Sequence, residues 1–320
     1  MSLYDGYYRK DNGAWLLTTY KRADRLNFLL NNLARLGGSR TAIKIAVDEM
    51  PDEPRAIAYN AAVSDYRINV SEETGRLVTI QFEENVGLKG VMAREYAAWG
   101  RDCQWVGWIQ DDHVPLTANW DEIMLSKLEP FRVVVSNDGW QFPNRFHGAV
   151  LFDQDFIKMM AAVNVNLNTR YSHYDSLVEL VCKSFDLAVY APEVMFYHDH
   201  GFKDPTKMDV VYKENYADLE DENKEWERWL REEKDRVFKQ INAYLQEHRA
   251  AKMKCLLPQR KFLIVMERTV GQHETAIILA NGQTEQEALE AAKSTPDSAV
   301  KWIAEPLSGE KIIRPPFLVG

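Results

Sequence analysis

Four short runs of β-forming residues recur along the first third of the chain, separated by longer polar or helix-patterned stretches. They are AWLLTTY (14–20), AIKIAVDE (42–49), LVTIQF (77–82) and QWVGWIQ (104–110). The first gap, RADRLNFLLNNLARLGG (22–38), sets Leu26, Leu29, Leu30, Leu33 and Leu36 at helical spacing and stops at two glycines. NVGLKGVMAREYAAWG (85–100) and NWDEIMLSKL (119–128) read as further helices, and FRVVVSND (131–138) as another strand. Strands alternating with helices predict an α/β fold: a mostly parallel sheet with helices on both faces. Ligands of such sheets bind outside the carboxyl ends of the strands. That rule gathers Thr18 to Arg22, Asp48, and Asp111 to His113 around one crevice, because each group follows a strand.

The rest of the chain divides by composition. GAVLFDQDFIKMM (148–160) reads as strand into helix, and YDSLVELVCKSFDLAVYAPEV (174–194) as helix into strand. A long charged helix is expected over roughly 214–249, then a linker near Lys254 to Gln259 that contains Pro258. KFLIVMERTV, HETAIILA, a turn at Asn281-Gly282, TEQEALEAAKS and AVKWIAEPL predict a small β-β-α-β module. The expected domains are therefore 1–213, a helical segment 214–254, and an α+β unit 255–320. With 320 residues, 46% of them hydrophobic, the chain can bury one large core and a small accessory one.

Charge and cysteine usage narrow the setting. A net charge of -9 argues against a general nucleic-acid coat protein. The average hides an acidic stretch, DLEDENKEWERWLREE (218–233), and a basic one, HRAAKMKCLLPQRK (248–261), which reads either as a solvated helix end or as a local phosphate-binding patch. The 3 cysteines form no metal-ligating spacing and read as reduced thiols. No secretory apolar region opens the chain and no apolar run reaches the ~20 residues of a membrane span. The expectation is a cytoplasmic protein without a membrane partner, in the host cytoplasm if phage-encoded; its oligomeric state is not legible.

Three segments carry chemistry. WIQDDHVP (108–115) ends an apolar strand in two carboxylates and an imidazole; carboxylate oxygens suit a hard divalent cation, and the plain alternative is that Asp111 and Asp112 cap the next turn. FYHDHGFKDPT (196–206) sets His198 and His200 about an aspartate after an apparent strand, with Lys203 beyond; either histidine could complete a metal site with Asp112, and both could be plain loop histidines. NVGLKGVMAR (85–94) offers exposed amides at a helix start, with Lys89 and Arg94 as added cations, which suits an anion. It is neither a Walker loop nor a GxGxxG fingerprint, so ATPase and dinucleotide readings lose support.

Taken together, residues 14–205 resemble the GT-A glycosyltransferases, the family-two-like nucleotide-sugar enzymes in particular. LLTTYKRADRLNFLLNNL is similar to that family's opening strand, turn and helix, IAVDE to its second strand, NVGLKGVMAREYA to its Asn-x-Gly segment, and WIQDDHVPLTANW to its Asp-x-Asp motif, with Gln110 standing where the first acid is usual. The resemblance implies a GT-A, Rossmann-like domain that uses Mn2+ or Mg2+ and a uridine-diphosphate sugar. It implies donor contacts from Thr18, Tyr20, Arg22, Asp48, Asn85, Gly87, Arg94 and Asp111, to which Lys89 and Lys203 add cations that could meet the donor's phosphates. It implies metal ligands at Asp112 and at His198 or His200. In inverting members an acid opening the helix before the last strand is the base. Asp175 fits that position best, with Glu179 competing and a plain helix cap as the structural alternative. WQFPNRFHGAV (140–150) falls where the family builds its acceptor platform, so Trp140, Phe142, Asn144, Arg145 and His147 would meet the acceptor, though Trp140 and Phe142 could as well be core.

The cast as a whole resembles phage enzymes that glycosylate hydroxymethylpyrimidines in DNA, the group associated with TET-type oxygenases. This makes 5-hydroxymethylcytosine the first acceptor to consider. The alternatives are a bacterial transferase acting on a surface polysaccharide or protein, and a non-catalytic nucleotide-sugar binder. A nucleotidyltransferase would usually carry a glycine-rich loop after the first strand, where TTYKRADR has none.

Overall fold

The computed structural model describes residues 12–38, 41–50, 52–70, 77–82, 84, 86–98, 102–163, 165, 167, 169, 173–199, 213–214, 217, 219–256, 263–268, 274–278, 298–304 and 312–313. Two compact units divide the chain, 1–242 and 243–320.

The first unit is built on one eight-stranded sheet in the order β3-β2-β1-β4-β7-β6-β8-β5. Its strands are β1 (Gly13–Thr19), β2 (Ala42–Val47), β3 (Val78–Phe82), β4 (Trp105–Gln110), β5 (His113–Pro115), β6 (Val133–Asn137), β7 (Ala149–Asp153) and β8 (Ala188–His198). The β3-β2-β1-β4 half is parallel throughout. In the other half β7 runs antiparallel to both β4 and β6, β8 runs parallel to β6, and β5 runs antiparallel to β8. The α/β class and the strand-helix alternation are as the sequence predicts. The antiparallel β7 is what the hydrophobic runs do not reveal, because strand direction leaves no mark on periodicity.

Eight helices are described: α1 (Ala23–Leu36), α2 (Glu53–Asn69), α3 (Gly87–Ala98), α4 (Trp120–Ser126), α5 (Gln154–Ala162), α6 (Tyr174–Ser184), α7 (Leu219–Glu232) and α8 (Lys234–Leu256). The leucines of α1 form its buried face against the sheet. Asp52 caps α2 by accepting from Arg55 N at 3.1 Å, with a proline in the first turn. Asp153 caps α5 and also accepts from Phe131 N at 2.7 Å, tying that helix start to the turn before β6. The expected long charged helix is two helices, α7 and α8, and α8 runs on to Leu256. Among the described residues no helix is long and apolar enough to cross a membrane.

The centre of the sheet is packed by tryptophans set against glycines. In the β1/β4 register Gly13 faces Trp105 and Trp15 faces Gly107. Each indole thus lies over a residue with no side chain. Trp15 also meets Trp105 edge-on at 5.8 Å and Trp120 at 4.5 Å, and the Trp120 indole N–H donates to Leu33 O at 3.2 Å. This fixes β1 against β4, the two strands whose ends carry the site.

The second unit holds the C-terminal end of α8 and a four-stranded antiparallel sheet in the order β10-β9-β11-β12, from β9 (Leu263–Arg268), β10 (Glu274–Ile278), β11 (Ser298–Ala304) and β12 (Ile312–Ile313). The three longer strands fall where the sequence places them; the turn at Asn281-Gly282 and the helix at 284–294 lie outside the described residues.

A Cβ at Gly107 would overlap the Trp15 ring, and Trp15 cannot yield because Trp105 and Trp120 hold it. Gly107→Ala is expected to lower unfolding free energy by about 1–3 kcal/mol or more, read from the denaturant midpoint.

Candidate metal centre

From β1 the chain passes to β2 and then β3 on one side, and returns to place β4 on the other side of β1. That reversal falls between β1 and β4, and ligands of such sheets bind beyond the carboxyl ends of the strands at a reversal of this kind. Thr19 to Arg22 leave β1 there, and Asp111 and Asp112 form the two-residue link from β4 to β5. The antiparallel β7 brings His147, two residues before its start, to the same edge. Asp138 arrives at the end of β6 and His198 at the end of β8.

Asp111 is held from the β1 side. Its Oδ2 accepts from Thr19 Oγ1 at 2.7 Å, and its Oδ1 pairs with Arg22 Nη1 at 2.7 Å. Arg22 also stands 3.9 Å from Asp112 Oδ2. All three groups are buried. Burial pushes the Asp111 carboxyl up and Arg22 opposes it. Burial would raise Asp112 as well, but the imidazoles of His113 and His198, with Arg22, hold it well below the usual carboxylate range.

Asp112, His113 and His198 form the only group of three metal-ligating side chains that converge among the described residues, with one donor atom of each within 4.8 Å of the others. The β5/β8 register causes this, because His113 and His198 are direct cross-strand partners. Their ring centroids lie 4.0 Å apart. Asp112 Oδ1 is 2.7 Å from His113 Nδ1, and Asp112 Oδ2 is 3.8 Å from His198 Nε2, a gap that one cation about 2.0–2.2 Å from each atom can bridge. His113 is 0% exposed, and its Nε2 is a buried nitrogen without a hydrogen-bond partner among the described residues. Burial, then the neighbouring His198, lowers the His113 imidazole to about 3, so it is neutral and able to ligate. The donor set fits a divalent cation, and three protein ligands leave positions open for substrate oxygens.

His147 stacks on His113 at 5.2 Å and its Nε2 bonds Ser136 O at 2.7 Å. His198 Nδ1 lies 3.0 Å from Asp138 Oδ2, and the half-exposed Trp140 ring meets His198 edge-on at 5.5 Å. Burial would raise the Asp138 carboxyl, but His198 and the loop amides hold it well below its ordinary value.

The other sequence candidates fall in different places. Thr18 Oγ1 accepts from the Trp108 indole at 3.1 Å. Tyr20 OH and Lys21 Nζ reach Glu214, at 3.2 and 2.7 Å. Asp48 accepts from Val86 N at 2.8 Å and Gly87 N at 2.9 Å, so it occupies the amides that the sequence offers to an anion. Gly87 has a φ of 73°, which its lack of a Cβ permits. The Lys89 ammonium donates to the carbonyls of Leu167 and Val165, and burial lowers its pKa, with Glu225 opposing. Arg94 lies 3.3 Å from Glu95. Asn85, His200 and Lys203 lie outside the described residues.

Asp175 sits in the first turn of α6, accepts from Ser176 N at 2.8 Å, and has its carboxyl pushed up by burial. His173 just before it stacks on Trp226 at 5.2 Å and bonds Asn223 at 2.9 Å, so α7 anchors the start of α6. Glu179 has both oxygens engaged, one by Phe146 N at 3.1 Å and one by Lys183 at 2.6 Å. In the 140–150 segment Phe142 packs edge-on against Tyr190 at 5.5 Å, Asn144 O accepts from Lys183, and Arg145 is exposed. The sequence reading did not assign roles to His113 as a ligand or to Asp138. Asp138 carries the same signal as Asp48 and Asp111, an acid at a strand end; His113 becomes legible only with the β5/β8 register.

No family model matches the chain, and no curated protein does. Among solved structures, the mannosyltransferase PcManGT from Pyrobaculum calidifontis, solved with GDP-Man and Mn2+, matches over 75% of this chain and 75% of its own at 13% identity, with a TM-score of 0.46. GalNAc-T7, solved with UDP, GalNAc and Mn2+, matches over 83% of this chain and 65% of its own at 10% identity and 0.45. Glucosyl-3-phosphoglycerate synthase from Mycobacterium tuberculosis, solved with Mn2+ and UDP-glucose, matches over 62% and 73% at 12% identity and 0.40. Likeness at this level assigns no activity to the chain.

Arg22→Ala would leave Asp111 buried without its cation, so a loss of about 3–5 kcal/mol is expected in denaturant unfolding. In metal-free protein His113 also sets a pH dependence. Its pKa is about 3 folded against 6.5 as the ordinary value, so the unfolded chain binds more protons between those limits. Stability should be full above pH 6.5 and fall as the pH drops toward about 3, and His113→Gln should flatten that slope in thermal melts.

Proposed function

We propose that the chain is a metal-dependent glycosyltransferase that moves a sugar from a nucleotide-sugar donor to a hydroxyl acceptor. The observation that carries this reading is the convergence of Asp112, His113 and His198 at the strand-order reversal of an α/β sheet, beside the buried Arg22–Asp111 pair. The resemblance of residues 14–205 to the GT-A enzymes supplies the reaction class, and a uridine-diphosphate sugar as the donor.

When bound, a divalent cation offsets the charge of the departing diphosphate. Asp112, His113 and His198 would hold it, leaving open positions toward the crevice. Arg22 orients Asp111 at the β1 edge, where the ribose and sugar are expected. Asp175 takes the proton from the acceptor hydroxyl as its oxygen attacks the anomeric carbon and the bond to the diphosphate breaks, the order of events in an inverting displacement. The raised Asp175 carboxyl favours this role, since a stronger base accepts a proton more readily near neutral pH. Glu179 is the weaker candidate, because Phe146 N and Lys183 occupy its oxygens.

Trp140, 40% exposed beside His198, offers a flat apolar face to the acceptor. Such a face suits a base or a sugar ring alike. Hydroxymethylcytosine in DNA is the first acceptor by sequence resemblance; a glycan or protein acceptor is the second reading, and the exposed aromatic ring serves it equally.

The test is incubation with Mn2+ and a panel of nucleotide sugars, with and without DNA containing 5-hydroxymethylcytosine, reading nucleotide diphosphate release and the masses of digested nucleosides. A hexose-sized gain on the modified base, lost in Asp112→Ala, is the expected result. Release without a nucleoside adduct moves the acceptor to a glycan or protein. No release from any donor would overturn the transferase reading.

A further inference from the structure

Asp138 follows β6 directly and is buried, and its two oxygens serve different partners. Oδ1 accepts from three consecutive backbone amides, those of Trp140 at 3.1 Å, Gln141 at 2.8 Å and Phe142 at 2.9 Å. Oδ2 lies 3.0 Å from His198 Nδ1. An ionised carboxylate has no hydrogen to give, so the proton of that second bond belongs to the imidazole. With Nδ1 protonated, a neutral His198 carries its lone pair on Nε2. Nε2 is the nitrogen that stands 3.8 Å from Asp112 Oδ2. A carboxylate on the far nitrogen is the usual means by which a ligating histidine is turned toward its metal.

We propose that Asp138 is the positioning residue of the metal centre: it fixes the tautomer and ring orientation of His198 for cation binding, and it ties the Trp140–Phe142 loop to that same ring. The proposal rests on Asp112, His113 and His198 being the metal ligands. The loop and the ligand share a second contact, since the Trp140 ring meets His198 at 5.5 Å. A cation drawing on Nε2 therefore acts through one imidazole and one carboxylate on the backbone of the segment that faces the acceptor. Linkage requires the converse: an acceptor that orders this loop favours the cation-ready His198.

The decisive variant is Asp138→Asn. Asparagine keeps an oxygen for the loop amides and turns an NH2 toward His198. That NH2 donates to Nδ1, so the imidazole proton moves to Nε2 and the lone pair faces away from Asp112. Mn2+ binding to the full chain is titrated calorimetrically in the parent, Asp138→Asn, His198→Ala and the double variant. Asp138→Asn is expected to bind Mn2+ about 10–100-fold more weakly. The double variant should lose no more than His198→Ala alone. Binding by Asp138→Asn within about twofold of the parent, with His198→Ala impaired, overturns the role of Asp138 and leaves the metal site standing. A parent that binds no Mn2+, or a His198→Ala variant that binds as tightly as the parent, overturns the metal reading and the proposal with it. The parent supplies a test that needs no folded Asp138 variant. In long-range 1H–15N spectra of the metal-free chain, the His198 signals, assigned among the 7 histidines by their loss in His198→Ala, should show the Nδ1–H form. The Nε2–H form would overturn the proposal.

Discussion

The rest of the first unit is arranged around two adjacent carboxylates, Asp111 and Asp112, both buried in the two-residue link between β4 and β5. Neighbouring buried carboxylates repel each other and lose their hydration, so a fold keeps them only where cations and donors surround them. Here Arg22 comes from the turn after β1, Thr19 from the end of β1, His113 from β5 and His198 from β8. Those partners belong to strands that are not sequence neighbours. The order of the sheet, with β4 beside β1 and with β8 reaching β5, is what makes that burial tolerable.

Asp138 extends the same cluster, so three acidic side chains share one buried edge of the sheet. His113 Nδ1 lies 2.7 Å from Asp112 Oδ1, and Arg22 is the guanidinium set against Asp111 and Asp112. A centre with that excess of negative charge is electrostatically prepared for a divalent cation before the cation arrives.

Much of this was legible in the sequence because it follows from one rule. Acids and polar residues directly after apolar strands gather at one edge of a parallel sheet, and that ground alone brings Thr18 to Arg22, Asp48, Asp111 and Asp112 together. The leucine spacing of α1 gave its length and buried face. What could not be read was strand direction and register. His113 follows a visible motif, yet its partnership with His198 depends on β5 pairing antiparallel with β8 over three residues. His147 reaches the site only because β7 runs against β4. Lys89 and Asp48 have partners that the sequence does not show: the amides of Val86 and Gly87 donate to Asp48, and the carbonyls of Val165 and Leu167 accept from Lys89. Local composition announces a charge; packing decides what it meets.

The uneven protection of the two candidate bases shows how such packing chooses between residues that the sequence leaves equal. Asp175 and Glu179 lie one helical turn apart on α6, so periodicity puts them on the same face. Glu179 is drawn into the support of the 140–150 segment, with one oxygen on Phe146 N and the other on Lys183, which itself donates to Asn144 O. Asp175 accepts a hydrogen bond from the adjacent Ser176 amide and is raised by burial, while the helix start that carries it is pinned through His173 to Trp226. Glu179 therefore supports the 140–150 segment, and Asp175 is the carboxyl on that face that the proposed reaction would use as its base.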